Sequence, residues 1–289
     1  MILKYIIEEE KILVKEFLEL KGLSRNLRKK ARIEDIIYIN GEKARNYYEL
    51  YKGDLLELVF TEEMNEEILI NTEIEMEILY EDDYILVINK PNDISSQPSI
   101  KHPADNVISC IKNYFLKNNI NSNIHLVNRL DYSTSGLMII AKDGVTHFEF
   151  SKVDITKKYL CEIFGHIEPK QGVIDLPIDR YEAPSILRYV SESGKKSITY
   201  YNVIESKQNT DIVNVTLGTG RTHQIRVHLS QIGYPIVGDF VYSNGRNPFG
   251  VEGQMLHSMK LEFVHPTNGK KMKLEAKSVS DLASFYFAK

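Results

Sequence analysis

Apolar residues recur at helical spacing near the start of the chain and at strand spacing through most of the rest. Ile12, Leu13, Phe17, Leu18 and Leu20 line one face of a helix, and Gly22 stands where a C-terminal cap belongs. Ser24 suits the N-cap of a second helix, so residues 11–32 predict two helices. Ile36 to Ile39 predicts a strand. Asn40-Gly41 follows it as a hairpin turn, because both residues tolerate positive φ. Lys52-Gly53-Asp54 marks another turn, and Leu55 to Phe60 another strand. These elements close a small αβ unit over residues 1–62, and an acidic stretch poor in turn residues, 63–78, reads as a linker.

Residues 79–289 carry a different pattern. Tyr84 to Ile88 is a buried-type strand that stops at Lys90-Pro91, and Leu137 to Ala141 is a second. Ile198 to Ile204 and Ile212 to Leu217 predict a pair of strands. Thr222 to Ile232 predicts a helix with Ile225, Leu229 and Ile232 on one face and Gly233 just beyond it. Strands outnumber helices and regular βαβ alternation is absent. The class expected is α+β, with a largely antiparallel mixed sheet in the large unit.

Composition narrows the function classes. The chain has 289 residues and a net charge of −4, so a polyanionic partner would have to be met by local basic patches. Its two cysteines, Cys110 and Cys161, form no CxxC pair, which excludes a cysteine-based zinc site and argues against a disulfide framework. Residues 1–10 alternate apolar and acidic positions and lack the basic start of a signal peptide. No apolar run approaches the roughly 20 residues that span a bilayer. The expectation is a cytoplasmic protein with no membrane association.

Two segments stand out for chemistry. Lys21 to Arg32 holds six basic residues and no acid. Leu23, Leu27 and Ala31 can pack while Arg25, Arg28, Lys29 and Arg32 point outward. Such a face is either simply solvated or a neutraliser of backbone phosphates. The second segment, HLVNRLDYSTSGLMIIAKD from His125, sets polar residues between two apolar runs, which implies a tight loop held beside a sheet. Taken alone, Asp131 is either a turn aspartate or a reactive carboxylate, and Tyr159, in the alternating run Tyr159 to Ile163, is either core or functional. His223 and His228 are five residues apart, about 140° around a helix, which makes a poor chelate. LGTGRT lacks the lysine of a phosphate-binding loop.

The order helix, LSR turn, basic helix, strand, INGEKA hairpin and KGDLLEL resembles the S4 RNA-binding domain over residues 10–60. HLVNRLDYSTSGL closely resembles the catalytic motif HRLDxxTSGL of the RluA-type pseudouridine synthases, with Asn128 at the motif histidine. YEDDYILVINKP at 80–91 resembles that family's first motif, although Asn92-Asp93 and Gln97-Pro98 stand where it has a glycine and an HP pair. KKYLCEIFGHI at 157–167, GTGRTHQIRVHLSQIGYPIVGDFVY at 218–242 and LHSMKLEFVHP at 256–266 resemble further motifs in the family's order.

The resemblance implies isomerisation of uridine to pseudouridine in structured RNA, without cofactor or metal. It implies Asp131 as the catalytic aspartate, Tyr159 as the residue that stacks on the extruded base, and Arg226 as the partner that keeps the aspartate ionised. A structural salt bridge elsewhere is the other reading of Arg226. Arg221 is assigned to RNA backbone, and Arg129, Thr134 and His223 to substrate binding. Whether Asp131 attacks the sugar, attacks the base or removes a sugar proton stays open. Large-subunit ribosomal RNA is the default target and tRNA the alternative, with no obligate protein partner evident. Two other classes compete: a noncatalytic RNA-binding assembly factor, and a metal-dependent RNA hydrolase that a chelator would silence.

Overall fold

The computed structural model describes residues 2–23, 25–59, 68–183, 185–246 and 248–276. Ser24, Phe60 and most of the first half of the expected linker lie outside those residues.

The N-terminal unit contains β1 (Ile2–Ile6), β2 (Lys11–Leu13), α1 (Val14–Leu20), α2 (Arg25–Ile33), β3 (Ile37–Ile39), β4 (Glu42–Lys43), β5 (Glu49–Tyr51) and β6 (Leu55–Val59). Its main sheet runs β1-β6-β3-β4, and β2 pairs with β5 as a separate ribbon. The hairpin predicted at Asn40-Gly41 forms, with φ of 53° and 85° at the two residues. Residues 11–13 are not helical as the apolar spacing suggested. They pair in register with Tyr51, Leu50 and Glu49, and the helix begins only after the extended Leu13. Val14, Phe17, Leu18, Leu23 and Ala31 are buried against the sheet residues Leu3, Ile37, Leu56 and Leu58. That packing leaves Arg25, Lys29 and Arg32 of α2 exposed, while the half-buried Arg28 pairs with Glu19 at 2.8 Å.

The large unit begins at β7 (Glu77–Glu81), inside the stretch read as linker, and continues through β8 (Ile85–Lys90), α3 (Val107–Lys117), β9 (His125–Leu126) and β10 (Ser135–Ala141). Next come α4 (Gly144–Phe150), β11 (Thr156–Phe164), β12 (Gln171–Asp175), β13 (Ile178–Arg180) and β14 (Arg188–Val190). The last elements are β15 (Ile198–Ser206), β16 (Thr210–Leu217), α5 (Gln224–Gln231), β17 (Leu256–Val264) and β18 (Lys271–Glu275). Ten of these strands form one sheet, β12-β15-β16-β11-β17-β10-β8-β7, with β18 beside β17 and β9 beside β10.

Ile85 to Ile88 of β8 read as an unbroken apolar run because both faces of the strand are covered. Leu86 and Ile88 join Met138, Ile140 and the α3 residues Val107, Ile111 and Phe115 on one side. Ile85 and Val87 join Leu137, Ile139, Phe150 and Phe263 on the other. The two units share apolar surface, since Phe148 and Val145 of α4 pack into the core of the N-terminal unit.

Every neighbouring pair in the large sheet is antiparallel except β10 and β17, which run parallel for two rungs, Ser135↔His257 and Gly136↔Ser258. Gly136 makes this contact possible. Its φ is +109°, and a Cβ there would lie 2.3 Å from the Ser258 carbonyl oxygen. Gly136→Ala is therefore expected to destabilise the protein by about 3 kcal/mol or more, from the backbone strain and the collision together, as read by urea unfolding. An unchanged midpoint would show that the seam does not depend on this approach.

Candidate active site

The loop between β9 and β10 is held from every side. Asn128, at the motif histidine position, donates from Nδ2 to the Leu137 carbonyl at 3.2 Å and accepts from Ile139 N–H at 2.7 Å, so it pins the loop's start to β10. His125 does not take over that position; it lies in β9 with its ring stacked on His147. Ser96 Oγ donates to the Leu130 carbonyl at 2.7 Å. Thr134 N–H donates to the Asp131 carbonyl at 3.1 Å and closes a tight turn. The buried Thr134 hydroxyl accepts from Gln254 at 2.9 Å, and Ser135 Oγ lies 2.8 Å from His257 Nδ1.

Lys90 clamps the other flank. It is fully buried, and its Nζ donates to the carbonyls of Pro91, Ile94 and Tyr132 at 2.8–2.9 Å. Burial pulls its pKa down to about 7, against the opposing charges of Asp131 and Asp93.

Asp131 meets Arg226 across the sheet. Arg226 Nη1 donates to Asp131 Oδ2 at 3.0 Å, while its Nε and Nη2 form a fork on Asp239 at 2.7 and 2.9 Å. One guanidinium is thus shared by two carboxylates, one on the loop before β10 and one beyond α5. Burial opposes the charge on Arg226, but the bonds to Asp239 and the charges of Asp239 and Asp131 outweigh it and hold the guanidinium firmly protonated. Its carbon also lies 4.9 Å from the centre of the Tyr242 ring. The other carboxylate oxygen of Asp131 has no partner among the described residues.

The helix expected from Thr222 starts at Gln224, because His223 takes a left-handed backbone with φ of 57°. Gln224 secures that turn. Its Oε1 accepts from Arg221 N–H and Thr219 Oγ, and its Nε2 donates to Ile198 O and Thr199 Oγ. His223 Nε2 lies 3.8 Å from Asp131 Oδ2, and its Nδ1 is 2.8 Å from the Tyr242 hydroxyl. Burial above all favours the neutral imidazole, with Arg226 and Arg188 adding to it against the Asp131 and Asp239 charges. His228 points the other way, bonded to Thr199 and the Leu176 carbonyl. Among the described residues no group of three or more His, Cys, Asp or Glu side chains is arranged to hold a metal.

Asp131, Tyr159, Arg226, Arg129, Thr134, Arg221 and His223 all line one cavity of about 720 Å³. Tyr159 is 6% exposed, on β11 between Val215 of β16 and Ser258 of β17. Burial first, and the Asp131 charge second, hold its hydroxyl protonated. Arg129 reaches Gln97 Oε1 at 3.1 Å, and the exposed Arg221 reaches the Lys196 carbonyl at 3.3 Å. The basic residues of α2 do not line this cavity. Lys90, Asn128, Gln224, Asp239 and Tyr242 carry the site's scaffolding without having been singled out for it by pattern. Asp239 had a signal, an acid in the same motif as an arginine that must be buried to reach a loop.

The family model described as RNA pseudouridylate synthase matches residues 84–231, which contain Asp131, Tyr159 and Arg226. An uncharacterized RNA pseudouridine synthase of Bacillus subtilis, YjbO, is 35% identical over 280 residues, covering 93% of this chain and 96% of its own. The ribosomal large subunit pseudouridine synthase D of Vibrio cholerae is 30% identical over 281 residues, covering 92% and 86%. The structure of human RNA pseudouridylate synthase domain containing 1 superposes with a TM-score of 0.58 at 25% identity, over 73% of this chain and 88% of that one. With the carboxylate, arginine and tyrosine gathered in one cavity inside the matched segment, the chain belongs to the RNA pseudouridylate synthase family.

Proposed function

We propose that this RNA pseudouridine synthase is of the RluA type and isomerises specific uridines in large-subunit ribosomal RNA. Asp131 is its catalytic carboxylate, no cofactor takes part, and the N-terminal unit is an S4-like RNA-binding module. The observation that carries the reading is the pairing of Asp131 with Arg226 in a cavity walled by Tyr159. The ribosomal target is supported by the names of full-length relatives such as the Vibrio cholerae enzyme.

The reaction breaks the N1–C1′ bond of uridine, turns the base and forms a C5–C1′ bond. C5 loses its proton, and N1 gains one, so atoms balance without an outside reagent. Each path open to the carboxylate, attack at the sugar, attack at the base or removal of a sugar proton, needs an ionised oxygen facing the nucleotide. Arg226 occupies Oδ2 of Asp131 and leaves the other oxygen for that work. The target base must leave its stack to enter the cavity, and stacking on the Tyr159 ring offsets part of that cost. Arg25, Lys29 and Arg32, exposed along α2, suit a phosphate backbone gripped away from the cavity.

The test is a map of pseudouridines in ribosomal and transfer RNA from cells with and without the gene, complemented by wild type or Asp131→Ala. Specific ribosomal sites should vanish with the gene and return only with wild type. Return with Asp131→Ala would remove the aspartate from the mechanism, and a change confined to tRNA would replace the substrate.

Asp239→Asn should cut turnover at saturating RNA by roughly 10²-fold, because the fork that aims Arg226 at Asp131 loses its charge. KM should change little. Neutralising Arg25, Arg28 and Lys29 together should weaken RNA binding and flatten the slope of log affinity against log salt by roughly two. Arg28 contributes less than the others because Glu19 already holds it. An unchanged slope would take the N-terminal unit out of RNA capture.

A further inference from the structure

Lys157 is a charged group of the cavity that neither the motif resemblance nor the mechanism gives a task. Lys157 stands two residues before Tyr159 on β11, and side chains at that spacing share a face about 7 Å apart. The bulge at this point falls in the partner strand, where Met259 is skipped between Lys260 and Ser258, so β11 itself keeps its alternation. Both side chains line the cavity. Lys157 is half-buried, and among the described residues its Nζ has no hydrogen bond or ion pair. Among the described residues the two buried lysines are provided for: Lys90 holds three carbonyls, and Lys142 holds Glu81 at 2.7 Å.

Gly220, which has no side chain, lies beside Lys157 in the lining. A methyl group added at Gly220 would lie 4.0 Å from Lys157 Nζ and meet no other residue beyond its own chain neighbours within that distance. The charge around it is also uneven. The cavity is lined by Arg129, Lys157, Arg221 and Arg226 but by a single carboxylate, Asp131, and Arg226 is bound to that carboxylate and to Asp239. A protein with a net charge of −4 thus presents a cavity with an excess of positive charge.

We propose that Lys157 is a phosphate-binding residue of the cavity, taking the phosphodiester that adjoins the extruded uridine while Tyr159 takes the base. The assignment rests on the RNA-modifying reading above for the identity of the phosphate, but not for the presence of the site. A nucleotide whose base lies on Tyr159 carries its phosphate one sugar away, within the reach of a side chain 7 Å along the strand, by the same rough spacing. Burial alone holds the Lys157 ammonium below the ordinary lysine range, with no carboxylate offsetting it. A phosphate would supply the missing counter-charge. Lys157 is therefore a binding residue whose contribution is felt in capture and not in the chemical step.

The experiment uses the full chain with ¹³Cε-labelled lysine, the Lys157 signal being assigned by its loss in Lys157→Arg. Its titration is followed alone, with uridine and with uridine 5′-monophosphate. The midpoint should rise with the nucleotide and stay in place with the nucleoside. An equal response to both, or to neither, overturns the assignment, and this arm needs no turnover. The second arm uses ribosomal RNA from cells lacking the gene. Lys157→Met should raise KM roughly tenfold and leave kcat within about twofold, as loss of one charge-assisted bond implies, and Lys157→Arg should recover most of the KM. A fall in kcat with KM unchanged would overturn it. If wild type leaves that RNA unmodified, the proposed ribosomal target fails, and the titration still decides the phosphate site.

Discussion

The two-rung parallel contact between β10 and β17 is the constraint on which the rest of the large unit depends. On one side of it lie β7, β8 and β10 with the loop that carries Asp131. On the other lie β17, β11 and β16, which carry Tyr159 and, through the turn after β16, Arg226. Asp131 belongs to one half of the sheet and Tyr159 and Arg226 to the other, and they share a cavity because the halves close at Gly136 and Ser258. So short a seam gains little from its own hydrogen bonds. Its position is fixed instead by the absence of a side chain at Gly136 and by the Ser135–His257 and Thr134–Gln254 contacts beside it.

Charge is handled by sharing. A buried guanidinium with one carboxylate would lose more in desolvation than a single exposed pair returns. Asp239, 1% exposed, satisfies Arg226 from behind and is committed to it. Asp131 then meets an arginine that is already aimed, and needs only one bond from it. Lys90 works by a different economy. It offers its hydrogens to three carbonyls and so ties the strand end to the loop through main-chain atoms alone. The loop is tied by dipoles, and the one carboxylate it offers to the cavity meets Arg226.

Much of this was legible in the chain. The apolar run of β8, the Asn40-Gly41 hairpin and the pairing of β15 with β16 follow from local pattern, because each element's burial or turn geometry is written in its own residues. The convergence of Asp131, Tyr159 and Arg226 followed from motif resemblance and not from periodicity. What local reading missed were choices made by distant partners. Lys11–Leu13 looked helical until β5 offered a ladder, and the start of α5 moved because Gln224 binds backbone from β15. Asn128 looked like a defect in the motif. Its amide, with a donor and an acceptor side by side, fits two consecutive β10 sites that only the folded loop brings near.

Phe148 and Val145 of α4 complete the core of the N-terminal unit, so the two halves of the chain are joined by packed surface as well as by peptide. A side chain lost from α4 would be felt in both cores, because Phe148 and Val145 belong to that of the N-terminal unit while Phe150 of the same helix belongs to that of the large one. Loss of the N-terminal unit would therefore bare apolar surface on a helix of the large one.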